Sequence, residues 1–232
     1  VYNYTKKTVI IKSEKRKEHA MELFKNNQEL IDYLKTTDSM HNITERTLEK
    51  GHSIVTEFDK SDHLFFLVDG ILSVEVITEA NSFISSFIFS NDFFGLDTFS
   101  SYQTKGHAIS VLSAKATVIK IKKDYLLATL NAHPAYYELL LTNFADIFQR
   151  HYRFFDLLSL SPKDRVQTLL SYLADFVGEL NDLEQLEIPA VFTQEILAKF
   201  CRTSQSRISV CLKELHREGF LIRKKSPFIL AQ

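Results

Sequence analysis

The hydrophobic residues of this chain change period once, near Asp124. Before it, from Ile43 to Ile121, they fall in short runs rich in β-branched and aromatic residues: Ser53–Phe58, His63–Val68, Leu72–Ile77, Phe83–Phe89, Ala108–Leu112 and Thr117–Ile121. Turn-forming residues bound the runs, among them Lys50-Gly51, Asp59–Asp62, Asp69-Gly70, Asn91-Asp92 and Lys105-Gly106. Many short strands at near-regular spacing predict an antiparallel sandwich or barrel. From Asp124 onward the apolar residues recur at helical spacing. A helix is expected over about 124–131, stopped at His133-Pro134 because proline disfavours helix in the residue before it.

Pro134 suits the first turn of a further helix, expected to run to about Leu158. Its apolar positions, Leu139, Leu140, Phe144, Ile147, Phe148, Phe154, Phe155 and Leu158, cover more than one face. A second apolar stripe is buried either in a partner helix or within one subunit. In the first case Leu140, Phe144, Ile147, Phe148, His151 and Phe155 form a homodimer seam. Ser161 as cap and Pro162 at the first position then start a helix that turns Val166, Leu169, Leu170, Leu173, Ala174 and Val177 inward and ends near Gly178. Glu179–Glu187, acidic without a basic residue, reads as a solvated connector. At the other end, Met21 to Thr37 reads as an amphipathic helix. Residues 1–20, polar and lysine-rich, are either an over-extended start before Met21 or a flexible arm.

Composition removes several classes. Of 232 residues, 45% are hydrophobic and 25% charged, as in ordinary globular proteins and unlike disordered chains. Two cysteines, Cys201 and Cys211, are too few for a disulfide framework or a four-cysteine metal site. Core packing and a thiol redox switch are the two readings left for them. No apolar run approaches the roughly 18–20 residues of a membrane span, and no secretory signal opens the chain, so no membrane partner and a cytoplasmic location are expected. Net charge is −1, so a polyanion-binding role must rest on where the charges sit.

They gather at the C-terminus. From Thr193 onward eight basic residues (Lys199, Arg202, Arg207, Lys213, Arg217, Arg223, Lys224, Lys225) oppose three acidic ones (Glu195, Glu214, Glu218). Such a patch in a near-neutral chain is the footprint of a phosphate-backbone binder. Thr193 caps an expected helix with Ile196, Leu197 and Phe200 inward, and Cys201-Arg202-Thr203 forms a turn. Ser204 caps a second helix, Gln205 to Arg217, with Ile208, Leu212 and Leu215 inward. After Gly219, Phe220–Arg223 and Phe228–Leu230 read as a two-stranded wing. This is the plan of a winged helix-turn-helix, whose second helix enters the major groove with its N-terminal side chains at base edges. Glutamine can pair with adenine, arginine with guanine, and serine with base or phosphate. Thr193, Thr203, Ser204, Gln205, Ser206, Arg207, Ser209 and Lys213 are the expected DNA-binding residues.

Thr193–Ala198, Arg202–Ser209, Leu212–Leu215 and Gly219–Leu221 together resemble the DNA-binding helices of the Crp/Fnr superfamily of bacterial transcription regulators. His63–Gly70 resembles a strand and turn of that family, Asp92-Phe93-Phe94-Gly95 its Gly-Asp-Phe-Phe-Gly loop, and Ala116–Asp124 its last roll strands. Residues 134–158 sit where it has its dimer helix. The resemblance covers about residues 40–230. It implies an α+β architecture. An N-terminal antiparallel β-roll, jelly-roll-like and effector-sensing, would span residues 21–133. A long dimerisation helix at 134–159 and a winged helix-turn-helix DNA-binding domain at 160–232 would follow. It also implies an effector pocket at Phe94, Gly95, Leu96, Asp97, His107 and Ala108.

Departures from the family pattern limit the effector. Cyclic-AMP-binding members carry Gly-Glu-Leu for the ribose hydroxyl and Arg-Ser for the cyclic phosphate. Here Leu96 replaces the carboxylate, Gly106 the arginine and His107 the serine, although a one-residue shift would let Asp97 serve the ribose. A buried phosphate would then lack its charge-assisted partner, which argues against cyclic AMP. The absence of N-terminal cysteines argues against an iron–sulfur cluster, and the scattering of His52, His63 and His107 against haem. No cofactor or metal is expected. The familiar recognition pattern Ser-Arg-Glu-Thr-Val-x-Arg reads Ser204-Gln205-Ser206-Arg207-Ile208-Ser209-Val210 here, so the family's usual operator is not assumed.

The expected function is that of a homodimeric regulator, not an enzyme, that binds a pseudo-palindromic operator in double-stranded DNA as activator or repressor. RNA polymerase and an unidentified small-molecule effector stay open as partners. The alternative is a cyclic-nucleotide-type regulatory module acting on a protein partner; it predicts an intact phosphate site and no basic C-terminal helix. A cupin-like enzyme would need clustered metal-binding histidines, which the strands do not carry.

Overall fold

The computed structural model describes residues 27–55, 62–79, 81–101 and 107–231. Residues 1–20, the first turns of the helix expected from Met21 and the end of the run Ser53–Phe58 lie outside them. Helix α1 occupies residues 27–37.

Eight strands among the described residues build the β-sheet-rich N-terminal domain: β1 (Ile43–Glu49), β2 (Ser53–Val55), β3 (His63–Asp69), β4 (Ile71–Ile77), β5 (Ser82–Phe89), β6 (Phe93–Phe94), β7 (His107–Val111) and β8 (Lys115–Lys122). They form two four-stranded sheets of order β1-β8-β3-β6 and β2-β7-β4-β5, with antiparallel pairings. Side chains alternate across each strand. In β3, Phe65 and Leu67 enter the space between the sheets with Leu72, Ile88, Ile109 and Val111. Leu64 and Phe66 take the opposite face and pack with Leu30, Ile31 and Leu34 of α1. β8 divides likewise, with Ala116 and Val118 inside and Ile119 and Ile121 against the helices. A strand buried on both faces reads as an unbroken apolar run, which is why His63–Val68 stands out in the sequence. The turn from β3 to β4 needs Gly70: its φ is 110°, and a Cβ there would lie 2.8 Å from that of Ala116.

Helices α2 (Lys123–Ala132) and α3 (Ala135–Tyr152) follow. The helix expected to reach Leu158 ends at Tyr152, turns through residues 153–156 and continues as the 3₁₀ turn Leu157–Ser159. The break drops Phe154 inward, edge-on to Tyr172 (4.7 Å between centroids) and Phe200 (4.9 Å). Helix α4 (Pro162–Val177) begins as expected, with Ser161 Oγ accepting the Asp164 N–H at 3.2 Å. The acidic stretch after it is no plain connector. It carries β9 (Glu179–Leu180) and β10 (Leu186–Ile188), and β10 pairs with β12 (Phe228–Leu230). With β11 (Leu221–Arg223) these make a third sheet, β11-β12-β10-β9, beside α5 (Gln194–Cys201) and α6 (Gln205–Arg217). Ile84, Phe87 and Phe89 of β5 join the core of this C-terminal unit while Ile88 packs between the sheets, so β5 is also buried on both faces.

Candidate functional site

Thr193 caps α5, its hydroxyl accepting the Ile196 N–H at 3.4 Å. Arg202 closes that helix in the left-handed region (φ 50°) without glycine. Ser204 Oγ accepts the Arg207 N–H at 3.2 Å and lies 2.9 Å from Ser206 Oγ, so α6 leaves the turn with its start fixed. Ile208, Cys211, Leu212 and Leu215 hold α6 in the core. That orientation leaves Gln205, Ser206, Arg207 and Lys213 exposed, with Thr203 and Ser209 half-buried. Thr193 is exposed at the start of α5. Arg217, Arg223, Lys224 and Lys225 are exposed as well.

Two basic residues of this patch are engaged by the roll, an arrangement that no local sequence pattern signals. Lys199 Nζ lies 2.7 Å from Glu75 Oε1 of β4. The Arg202 guanidinium stands 3.7 Å from the ring centroid of Phe83 of β5. Beside them Phe87 stacks on Phe200, with centroids 5.3 Å apart and planes 11° apart. Asn81, Ser82 and Phe83 face Arg202, Thr203 and Gln205 across one cleft.

A second cavity, of about 300 Å³, lies between the roll, α3 and α4. Phe94, Gly95, Leu96, Asp97 and His107 all line it. Ala108 does not: alternation along β7 brings His107 and Ile109 to the cavity and takes Ala108 off it. Gly95 (φ 81°) makes the bend from β6 into the 3₁₀ turn Leu96–Phe99, and a Cβ there would meet the Phe65 ring at 2.9 Å. Sequence reasoning missed Arg150 and Tyr172, and expected His151 in the dimer seam; α3 and α4 bring all three to the same cavity. Arg150 gives both Nη groups to Asp92, at 2.8 and 2.6 Å. Burial, then the Arg150 charge, lowers the His151 pKa, and burial raises that of Tyr172 well above a normal phenol. Among the described lining residues the one guanidinium is thus closed on a carboxylate, and Asp97 adds a second carboxylate; Gly106 lies outside the described residues.

The expected dimer seam divides. Leu140 is buried in its own subunit's core and is withdrawn from the seam, because it packs in the cluster that α1, α2 and the outer face of the first sheet share. Phe144 packs partly against the same cluster and Ile147 lines the cavity. Phe148 and Phe155 are exposed, Phe155 on the turn beyond the helix; His151 is exposed over part of its surface and turns the rest to the cavity. Leu141, Tyr152 and Leu158, which were not in the expected seam, are exposed beside them. Phe148, Tyr152 and Phe155 form an aromatic chain with centroid separations of 4.7 and 6.2 Å.

Both cysteines are buried free thiols in the C-terminal core. Burial pushes the Cys201 thiol up to about 12 and raises that of Cys211, which favours the protonated form of both. Among the described residues no group of three His, Cys, Asp or Glu side chains could hold a metal ion, and no helix is long and apolar enough to cross a membrane.

The cyclic nucleotide-binding domain model matches residues 45–133. The solved structure of a cyclic nucleotide-binding domain containing protein from Listeria monocytogenes EGD-e is 35% identical, with a TM-score of 0.79, over 88% of this chain and 97% of that one. A CooA mutant from Carboxydothermus hydrogenoformans is 17% identical with a TM-score of 0.67, over 82% of this chain and 83% of that one. A CRP/FNR-family transcriptional regulator from Thermus thermophilus is 16% identical with a TM-score of 0.64, over 82% of this chain and 94% of that one. These last two share the fold. No curated protein matches the chain. The chain belongs to the family of proteins that contain a cyclic nucleotide-binding domain.

Proposed function

We propose that the chain is a homodimeric transcription regulator that binds double-stranded DNA through a C-terminal winged helix-turn-helix. The observation that carries this reading is the first turn of α6. Gln205, Ser206 and Arg207 stand exposed there, on a helix whose other face is locked in the core and whose surroundings are basic. In this reading α6, 13 residues and roughly 20 Å long, lies in the major groove, and β11–β12 bring Arg223, Lys224 and Lys225 to the flanking phosphates. Phe148, Tyr152 and Phe155 meet the same residues of a second copy and set two α6 helices for a pseudo-palindrome. Contact with RNA polymerase would make the protein an activator, and occlusion a repressor. The cavity between roll and α3 is the effector site. A module acting on a protein partner is less well supported, because it leaves the exposed basic face of α6 without a role.

Selection of genomic fragments by the purified full chain tests this reading. Recovered fragments should share an inverted repeat with half-sites about one helical turn apart. Recovery of fragments with no common sequence would overturn it.

A further inference from the structure

We infer that the cavity between the roll and α3 takes an uncharged, largely apolar small molecule and rejects anions of the cyclic-nucleotide kind. This rests on the reading of the cavity as the effector site and specifies its ligand. Its volume of about 300 Å³ is at the small end of ligand pockets, which suits a molecule of one to three rings. Its walls are apolar: Val74 and Val76 from β4, Ile88 from β5, Ile109 from β7 and Ile147 from α3.

The charges decide the class. Among the described lining residues the one lysine or arginine is Arg150, opposed by the carboxylates of Asp92 and Asp97. Arg150 is closed on Asp92 through both Nη groups, and its guanidinium also covers the Phe176 ring at 5.4 Å. Among the described residues, an anionic ligand would have to break that pair or be buried beside two carboxylates without a cation of its own. Either course leaves a desolvated charge uncompensated, which is strongly unfavourable. An uncharged ligand meets no such cost, and Ser85, Ser86 and His107 offer it hydrogen-bonding groups. At His151 burial and the Arg150 charge disfavour the protonated form, opposed by Asp92.

Two fluorescent probes separate the cases. N-phenyl-1-naphthylamine is uncharged, and 1-anilinonaphthalene-8-sulfonate has the same ring system with a sulfonate added. Titrated into the full chain, the amine should bind saturably and at least tenfold more tightly than the sulfonate. Val76→Phe and Ile147→Phe fill the cavity from opposite walls, and whichever melts cooperatively should weaken the amine at least tenfold. Asp97→Asn should narrow the gap between the two probes. The inference is overturned if the sulfonate binds as tightly as the amine, if the amine does not bind, or if the folded filled variants bind it unchanged. No DNA enters the titration, so its failure leaves the DNA-binding reading standing, and failed fragment selection leaves the probe result standing.

Discussion

Arg150 of α3 and Asp92, in the turn between β5 and β6, form a two-pronged ion pair with side chains only 13% and 16% exposed. The same carboxylate accepts the Phe89 N–H at 2.9 Å. One pair therefore ties the roll, α3 and, through Phe176, α4. Asp92→Ala would leave the guanidinium buried without its partner, and should cost about 3–5 kcal/mol in chemical denaturation. Replacing both residues together, as Arg150→Met with Asp92→Leu, should recover most of that loss. A single-variant cost below about 1 kcal/mol would show that water reaches the pair.

The joint between roll and C-terminal unit should respond unequally to loss of its two rings. Phe83 meets Arg202 as a cation–π partner, and Phe83→Ala should cost about 0.5–1 kcal/mol. Phe87 is 4% exposed in the core, and Phe87→Ala should cost about 3–5 kcal/mol. Amide hydrogen exchange should show faster opening of α5 alone in the first variant and global destabilisation in the second. Equal effects would contradict this division.

Stability should fall in mild acid, with His151 a contributor. Its folded pKa is lowered, first by burial and then by Arg150, whereas the unfolded chain takes up the proton near 6.5. Below 6.5 and down to the folded value the unfolded state holds more protons. Stability therefore rises with pH across that window, and is lost as the pH falls through it. His63, lowered by burial and by Lys120, acts in the same direction. Denaturant midpoints measured above and below this window should differ, and His151→Gln should shrink the difference. An unchanged difference in that variant would remove His151 from the account.

Exposed aromatic side chains at the end of α3 predict the oligomeric state. Phe148 is 57% and Phe155 81% exposed in the single chain. Phe148→Glu or Phe155→Glu would place an unpaired charge in the interface between copies and cost several kcal/mol of association. Sedimentation should find a dimer in the wild type at micromolar concentration and a monomer in the variants. A monomeric wild type would end the dimer reading.

Local patterns made much of this fold readable. Strands such as β3 and β8 announce themselves because two cores claim their two faces. The caps Thr193, Ser204 and Ser161 sit directly before the helices they start. What escaped was set by contacts distant in sequence. β1 gives no apolar run because its residues Ile43–Glu49 are mostly exposed and polar. The end of α3 is not legible because Phe154, Phe155 and Leu158 keep the helical period, whereas Phe154 packs edge-on to the distant Tyr172 and Phe200. Leu140 looks like a seam residue until α1 and the sheet are seen to cover its face. Arg150 and Asp92 stand 58 residues apart, and no spacing rule joins them.

The division of labour on α6 offers the sharpest test of the central claim. Gln205 and Arg207 are two positions apart, so their side chains leave the helix roughly 200° apart and cannot both face base edges squarely. In the proposed reading Gln205 takes the base-reading position and Arg207 the position that meets the backbone. Equilibrium binding of the full chain should be measured on the selected operator and each of its single-base variants, at two salt concentrations. Gln205→Ala should relax discrimination at one base pair per half-site by about 1–3 kcal/mol. Arg207→Ala should weaken every sequence alike and flatten the salt dependence by about one unit per half-site. A wild type that binds the operator no more tightly than a scrambled duplex would contradict the account at its root.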